Sequence, residues 1–570
     1  MHCPPKALAF ILPFATTILA PSAPAQNQTQ KLIASDGQSA DMFGMVAMRA
    51  SRALIGAPLA NRPEDSGAAY LFERGPAGWS QTSILQASDA GEYDSFGSQV
   101  ALSDDLMLVV ALSADGQSAD AGAVYVFEED GSGQWTETAK LAALDGFQYD
   151  SFGSSIDVWE NRVIVGAINV DDSGESSGAA YVFERFGSVW IQTARFTAPD
   201  AEEFDRFGSA VAIHGDLAMV SSEGESELAP SAGAVYVFER TETGWVFLEK
   251  LLPSTASFLS NFGSSIALDA DLAVIGASGS VIAGPNSSGA VFVFERDESG
   301  WHESSVLTAP GAASGDRFGG AVELSESLML VGASSHDVDT QSGAGAAYSY
   351  ARSGSQLEFI RKLVAADPSQ NARFGHSLAI DGERAMIGAI FDPELGPLAG
   401  AAYAFETTAL AVPYCFCDSM AQCGNADAAA GCSNSTGVGG LLEASGSASV
   451  SMDDLSLHVT QLPPGAGGLV YMGGGSMALP MADGVRCVDW GGLGIFRFRV
   501  QVANPAGELT LGPDHQFGLG VVGSSRQRFG SLGEIVAGQT WNFQAWYRDS
   551  SGPCGHGHNQ SNALSIAFLP

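Results

Sequence analysis

Six cysteines stand at Cys415, Cys417, Cys423, Cys432, Cys487 and Cys554. Thiols in such a group either oxidise in pairs or ligate zinc as thiolates. Zinc sites favour paired C-x-x-C spacing, which this segment lacks, so three disulfides are expected. The spacing alone does not choose among the pairings. His556-Gly557-His558 beside Cys554 reads as a loop. The metal-hydrolytic H-E-x-x-H and the phosphate-binding P-loop signatures are missing. The histidines His214, His336 and His376 fall at non-equivalent places. No catalytic or cofactor-binding residue is therefore assigned, no metal ligand is expected, and an enzyme is not expected.

The charge narrows the partners. The 570 residues carry a formal net charge of −38, and the lysines are only Lys6, Lys31, Lys140, Lys250 and Lys362. Such a surface repels phosphate backbones, so nucleic acid is excluded as a partner. The N-terminus has the form of an export signal: Lys6, an apolar run over residues 7–20, and Ala23-Pro24-Ala25. Cleavage is expected after Ala25, with Cys3 removed and the mature chain secreted or held at the cell surface. The apolar run is short for a membrane span, and no later run is longer, so no transmembrane segment is expected in the mature chain. Confinement of the other cysteines to residues beyond 407 suits an oxidising compartment.

The elements that must position any site come from a repeat. The pairs Phe43-Gly44, Phe96-Gly97, Phe152-Gly153, Phe207-Gly208, Phe262-Gly263, Phe318-Gly319 and Phe374-Gly375 recur every 53 to 56 residues. About a dozen residues later comes a run such as Val163-Ile164-Val165-Gly166-Ala167. A third run, close to Gly-Ala-Val-Tyr-Val-Phe-Glu-Arg, starts at Gly67, Gly122, Gly178, Gly233, Gly289, Gly345 and Gly400. A fourth carries an aromatic residue and alternates, as in WVFLEKL over residues 245–251. These are short, β-branched and aromatic runs between Gly, Ser and Asp, with no helical period. Four antiparallel strands in each of seven copies predict a seven-bladed β-propeller over residues 26–407. The inner strands read as small and apolar. The seventh copy lacks its fourth strand, and residues 29–36 match the ends of the other fourth strands, so the N-terminal strand is expected to close the ring rather than leave an open solenoid. The Asp two places before the Phe (Asp41, Asp94, Asp150, Asp205 and Asp316) is expected to cap a turn.

Seven Phe-Gly pairs, five of them followed by Gly-Ala at the end of the second run (Gly56-Ala57-Pro58 in the first copy) and two by the degenerate LVVAL (108–112) and MVSSE (219–223), resemble the FG-GAP repeat family, which includes the integrin α-subunit head propellers. The resemblance implies a seven-bladed propeller whose loop-bearing face contacts ligands. Calcium-binding members carry a D-x-D/N-x-D-G loop between the first and second strands. Here that connection is a short turn, as in Glu160-Asn161-Arg162 and Asp381-Gly382-Glu383. Calcium takes six to eight oxygens, so sites of the family type are not expected.

After a linker at residues 408–414 the period disappears. Residues 415–570 read as a small, disulfide-linked, all-β module resembling a sandwich. With CGN at 423–425, GCSNSTG at 431–437, LPPG at 462–465, AWYRD at 545–549 and GPCG at 552–555, it resembles a Cys/Gly-rich C-terminal domain of exported bacterial proteins. The whole chain reads as all-β: a non-enzymatic binding or adhesion scaffold for an extracellular protein or glycan, acting through an acidic loop face. A purely structural surface or matrix protein, and a propeller hydrolase or lyase, are the competing readings.

Overall fold

The computed structural model describes residues 28–60, 65–75, 78–130, 133–282, 288–311, 313–382, 384–406, 412–414, 417, 430–445, 455–481, 484–489, 494–512, 521–529, 533–536, 539–551 and 557–568. Residues 28–406 form seven four-stranded antiparallel sheets, numbered here as blades 1 to 7 by their Phe-Gly pairs. Blade 3 is typical: Phe152–Trp159 innermost, then Arg162–Ala167, Ala179–Phe186 and Val189–Phe196 outermost.

The burial pattern explains this order. The second strand of each blade is almost wholly apolar and buried, because neighbouring sheets cover both its faces. The outer strand alternates exposed and covered residues, as a half-buried strand does. Blade 7 consists of Phe374–Asp381, Arg384–Ala389 and Ala401–Glu406, with Gln28–Leu32 paired antiparallel to the last of these. A bridge between Phe43 and Gly400 joins blades 1 and 7, as Gly178 and Phe207 join blades 3 and 4.

The repeat marks are packing residues. Phe152 meets Tyr181 and Phe183 of its own blade edge-on, at 5.6 and 5.9 Å between ring centroids. The same contacts recur for Phe43, Phe96, Phe207, Phe262 and Phe374. Phe318 meets Tyr348 likewise. Gly178 shows why a glycine opens the third run. Its φ is +85°, and a Cβ there would lie 2.1 Å from the carbonyl oxygen of Phe207.

The C-terminal module is built mainly of strands. Its largest sheet takes Val412–Tyr414, Gly557–Ala567, Thr540–Asp549, Gly467–Gly473 and Ile495–Arg497 in that order, with Gln501–Val502 beside Gly467–Gly473. Residues 412–414 are therefore an edge strand of this sheet, where the sequence reads as linker; their partner strand lies some 150 residues downstream, beyond any local signal. One helix, Val521–Phe529, departs from the expected all-β module. Gly523, Ser524 and Ser525 give it weak helical propensity, but it buries Val521, Val522 and Ser525, and the two valines join the core around Trp541 and Phe543. Cys417 and Cys432 form a disulfide, and Cys487 is also disulfide-bonded. Cys415, Cys423 and Cys554 lie outside the described residues.

Candidate functional site

The two faces of the propeller differ in chain path. The first-to-second and third-to-fourth connections on one face are tight turns, such as Trp159 to Arg162 and Phe186 to Val189. The longer second-to-third connections and the loops that lead to the next inner strand emerge on the other face. This loop-bearing face carries the acidic residues singled out above.

Its loops are rigidly built. Asp41, Asp94, Asp150, Asp205 and Asp316 each accept a hydrogen bond from the backbone N–H three residues earlier, at 2.6 to 2.8 Å. Ser260 makes the same bond in blade 5. These side chains cap the turn before the inner strand. Burial pushes the carboxyls of Asp94, Asp150 and Asp205 up, against the backbone bonds that lower them.

The carboxylates of the face are organised around an internal cation. Lys140, Arg195, Lys250 and Lys31 each lie cross-strand from a tyrosine of the third strand: Tyr125, Tyr181, Tyr236 and Tyr403. Each cationic group sits over its tyrosine ring, 5.0 to 5.6 Å from the centroid. In blade 4 the Lys250 ammonium donates to Asp200, Glu225 and Glu227 at 2.7, 3.0 and 2.9 Å. In blade 7 Lys31 does the same with Asp367, Asp392 and Glu394, at 2.7, 3.0 and 2.7 Å. Arg195 holds Asp145 and Asp172 in blade 3, and Lys140 holds Asp89 in blade 2. Burial lowers the Lys250 pKa, but the three carboxylates outweigh it, so the ammonium stays charged. In blade 6 Lys362 meets His336, which in turn meets Asp316. Blade 1 carries Ile84 opposite Tyr70, and blade 5 carries Val306 opposite Phe292.

All four described lysines thus occupy one place in the repeat. Sequence reading noted their scarcity and missed this. The available signal was the dipeptide Lys-Leu at the end of four outer strands, but only strand register brings a lysine onto a tyrosine.

Among the described residues, Asp200, Glu225 and Glu227 are also a carboxylate group whose oxygens lie close enough together to take a metal ion. The ammonium of Lys250 supplies that positive charge already. The first-to-second turns do not fit calcium either. Four of their acidic side chains turn to arginines: Asp104 to Arg49, Asp216 to Arg162, Asp381 to Arg384 and Asp269 to Arg352. A two-residue turn with its carboxylate so engaged lacks the oxygens of a calcium cage.

A central channel of about 830 Å³ runs between the seven inner strands. Those strands are not uniformly small and apolar. Five places after the Phe, blades 3 and 6 carry Asp157 and Glu323, where blades 2, 4, 5 and 7 carry alanine. Asp157 accepts backbone N–H groups of Val158 and Ile213, both at 2.7 Å. Burial nevertheless pushes its carboxyl up to about 6. Glu323 has no hydrogen-bond partner among the described residues. Burial, and then the charge of Asp157, push it up to about 8. His376 lines the same channel, lowered to about 4 by burial and by Arg373 and Arg317. His214 lies on the Trp159 ring at 3.8 Å, and 3.6 Å from Asp269.

A family model described as FG-GAP repeat matches seven segments: residues 27–72, 79–127, 135–183, 190–238, 245–294, 301–350 and 358–405. No curated protein matches the chain. Among solved structures, the periplasmic gluconolactonase of Pseudomonas aeruginosa is similar at 14% identity and a TM-score of 0.38. The match covers 57% of this chain and 86% of that one.

Proposed function

This chain belongs to the FG-GAP repeat family, and from that premise we propose that it is an exported, non-enzymatic binding protein. Its loop-bearing face engages an extracellular protein or glycan. One observation carries this reading: among the described residues the longer connections of the propeller, which differ from copy to copy, are gathered on that face, on turns capped by Asp in five blades. Variable loops on a rigid repeated frame are where recognition usually resides. The lysine- and arginine-filled carboxylate groups support binding without a calcium cofactor. Export is supported by the leader pattern and by the Cys417–Cys432 disulfide. Among the described residues no helix is long and apolar enough to cross a membrane.

The test uses the mature chain from Gln26, applied to an array of glycans and to the protein fraction of the producing cell's surface. Binding lost on replacing residues 169–177 by a Gly/Ser loop supports the reading. Failure to bind either material removes it and favours a purely structural surface protein.

Asp157 and Glu323 favour a second reading, a channel hydrolase or lyase. Two carboxyls that burial raises to different values, about 6 and about 8, can divide base and acid roles. Turnover of any substrate, abolished in Glu323→Gln, is the outcome that establishes it.

A further inference from the structure

The residue three places before each Phe-Gly adopts the left-handed conformation in every blade. In blades 7, 1 and 6 it is Asn371, Ala40 and Gly315, at φ +59°, +68° and +85°. In blades 2 to 5 it is Tyr93, Tyr149, Phe204 and Leu259, at φ +66°, +70°, +66° and +56°. The conformation belongs to the framework. In most blades this residue's backbone N–H donates to the second-to-third loop of the preceding blade: Tyr149 to Asp120 at 3.1 Å, Phe204 to Glu175 at 2.8 Å, Asn371 to Ser342 at 2.8 Å. The side chain is what differs.

Large apolar side chains are poor choices for this position. A left-handed residue with a Cβ costs about 1–2 kcal/mol, least for Asn and nothing for Gly. The four are also open to water, with Tyr93 59%, Tyr149 64%, Phe204 50% and Leu259 48% exposed. Four consecutive blades therefore carry side chains that neither the backbone nor the solvent favours, all on the loop-bearing face. Phe147, on the same capped turn as Tyr149, is 73% exposed, and Phe258 beside Leu259 is 66% exposed. Strain and exposed apolar area together mark a contact surface.

The surroundings indicate the chemistry of the occupant. In blade 3 a groove of about 540 Å³ runs between Phe147, Tyr149 and the second-to-third loop, walled by Gln148, Asn169, Asp171 and Glu175. Its polar groups are chiefly carboxylate and amide oxygens, which accept hydrogen bonds. The one cation in its wall, Arg195, is taken up by Asp145 and Asp172. Such a groove suits a ligand rich in hydroxyl donors, with C–H faces that pack on flat rings. It repels anionic polymers, given the net charge of −38. A partner with a continuous apolar surface fits poorly, because carboxylates and amides flank the rings. One such side chain in each of four consecutive blades, aromatic in blades 2 to 4, suits a repeating chain bound at several points.

We propose that the ridge of Tyr93, Tyr149, Phe204 and Leu259 and the groove beside Phe147 bind a neutral polysaccharide. The sugar rings stack on the aromatic residues, and their hydroxyls donate to the flanking carboxylates and amides. This rests on the binding role given above and names its ligand class.

The test is affinity electrophoresis of the mature chain in native gels containing xyloglucan, laminarin or soluble starch, with alginate as the anionic comparison. Tyr149→Gly reports on folding, since glycine accepts the left-handed backbone. The double variant Phe147→Ala/Tyr149→Ala reports on stacking. Retardation of the wild type by a neutral polymer and not by alginate is expected, with the double variant weakened about tenfold or more. Equal retardation of wild type and double variant overturns the proposal, as does no retardation by any neutral polymer. If the wild type then captures a surface protein through its loops, only the polysaccharide assignment falls. If it binds nothing at all, the binding role falls with it.

Discussion

Arg240 of blade 4 holds Glu184 of blade 3 through two hydrogen bonds, Nε to Oε1 at 3.2 Å and Nη2 to Oε2 at 3.0 Å. Both residues come from the repeated Phe-Glu-Arg sequence that ends the third strand. Arg185 reaches Glu128 of blade 2, Arg296 reaches Glu239 of blade 4, and Arg74 reaches Glu406 of blade 7, at 2.7 to 2.8 Å. Blade 2 has Glu129 in place of the arginine, and there the polarity reverses: Arg52 of blade 1 binds Glu129 at 2.7 Å. The belt joins neighbouring blades on the face opposite the long loops.

Glu184 is buried, so removal of its partner leaves a charge without compensation. Arg240→Ala is expected to lower unfolding stability by about 1–3 kcal/mol, discounted for the partly open arginine. Glu184→Gln/Arg240→Ala is expected to recover part of the loss. Chemical denaturation of the three proteins measures it, and equal stability of wild type and Arg240→Ala counts against the belt.

Lys250→Met leaves Asp200, Glu225 and Glu227 together without their ammonium. The variant is expected to lose stability at neutral pH and to regain it with millimolar calcium, while the wild type responds little. Thermal melts with and without the ion decide the matter. An equal calcium response in both proteins would mean that the lysine is not the resident cation.

The same groups set the acid limit. For Asp200 and Asp89, burial acts to raise the pKa, but hydrogen bonds from Lys250 or Lys140 and from a tyrosine bring it below the ordinary 3.8. A depressed folded pKa gives stability above the unfolded value and loses it as pH falls through the folded one. Acid unfolding is therefore expected to steepen below pH 3.8, in a plot of unfolding free energy against pH.

Glu323 acts with the opposite sign. Its folded pKa, near 8, lies above the ordinary 4.5, so its contribution is full below pH 4.5 and is lost as pH rises towards 8. Glu323→Gln is expected to flatten that decline, leaving stability near pH 4.5 little changed and raising it at pH 8. A decline of unchanged slope in the variant would assign it to other groups.

Deletion of residues 28–36 removes the strand paired with Ala401–Glu406 and exposes its edge. A lower melting temperature and concentration-dependent association are expected, read by calorimetry and light scattering. An unchanged melt would falsify the role of this strand in closing blade 7.

The propeller was legible because its signals are local and repeated. Phe152, Gly178 and Tyr181 lie within one copy, and seven copies at one period leave few other folds. The Asp caps were legible for the same reason, since Asp150 and the N–H of Phe147 are three residues apart. The helix at Val521–Phe529 was not, because packing around Trp541, rather than propensity, holds it. Edge strand Val412–Tyr414 was hidden by the distance to its partner.

The candidate site divides in the same way. Sequence by itself determined the blade, the loop-bearing face, its acidity and the short turns that leave calcium too few oxygens. Tertiary structure decided what the acidic residues do: Lys250 reaches Glu225 and Asp200 only when strand register and two different loops bring them together. It also placed Tyr93, Tyr149, Phe204 and Leu259 in water on a left-handed backbone. A sequence records that these residues are apolar; whether an apolar side chain is covered depends on what the rest of the chain brings to it.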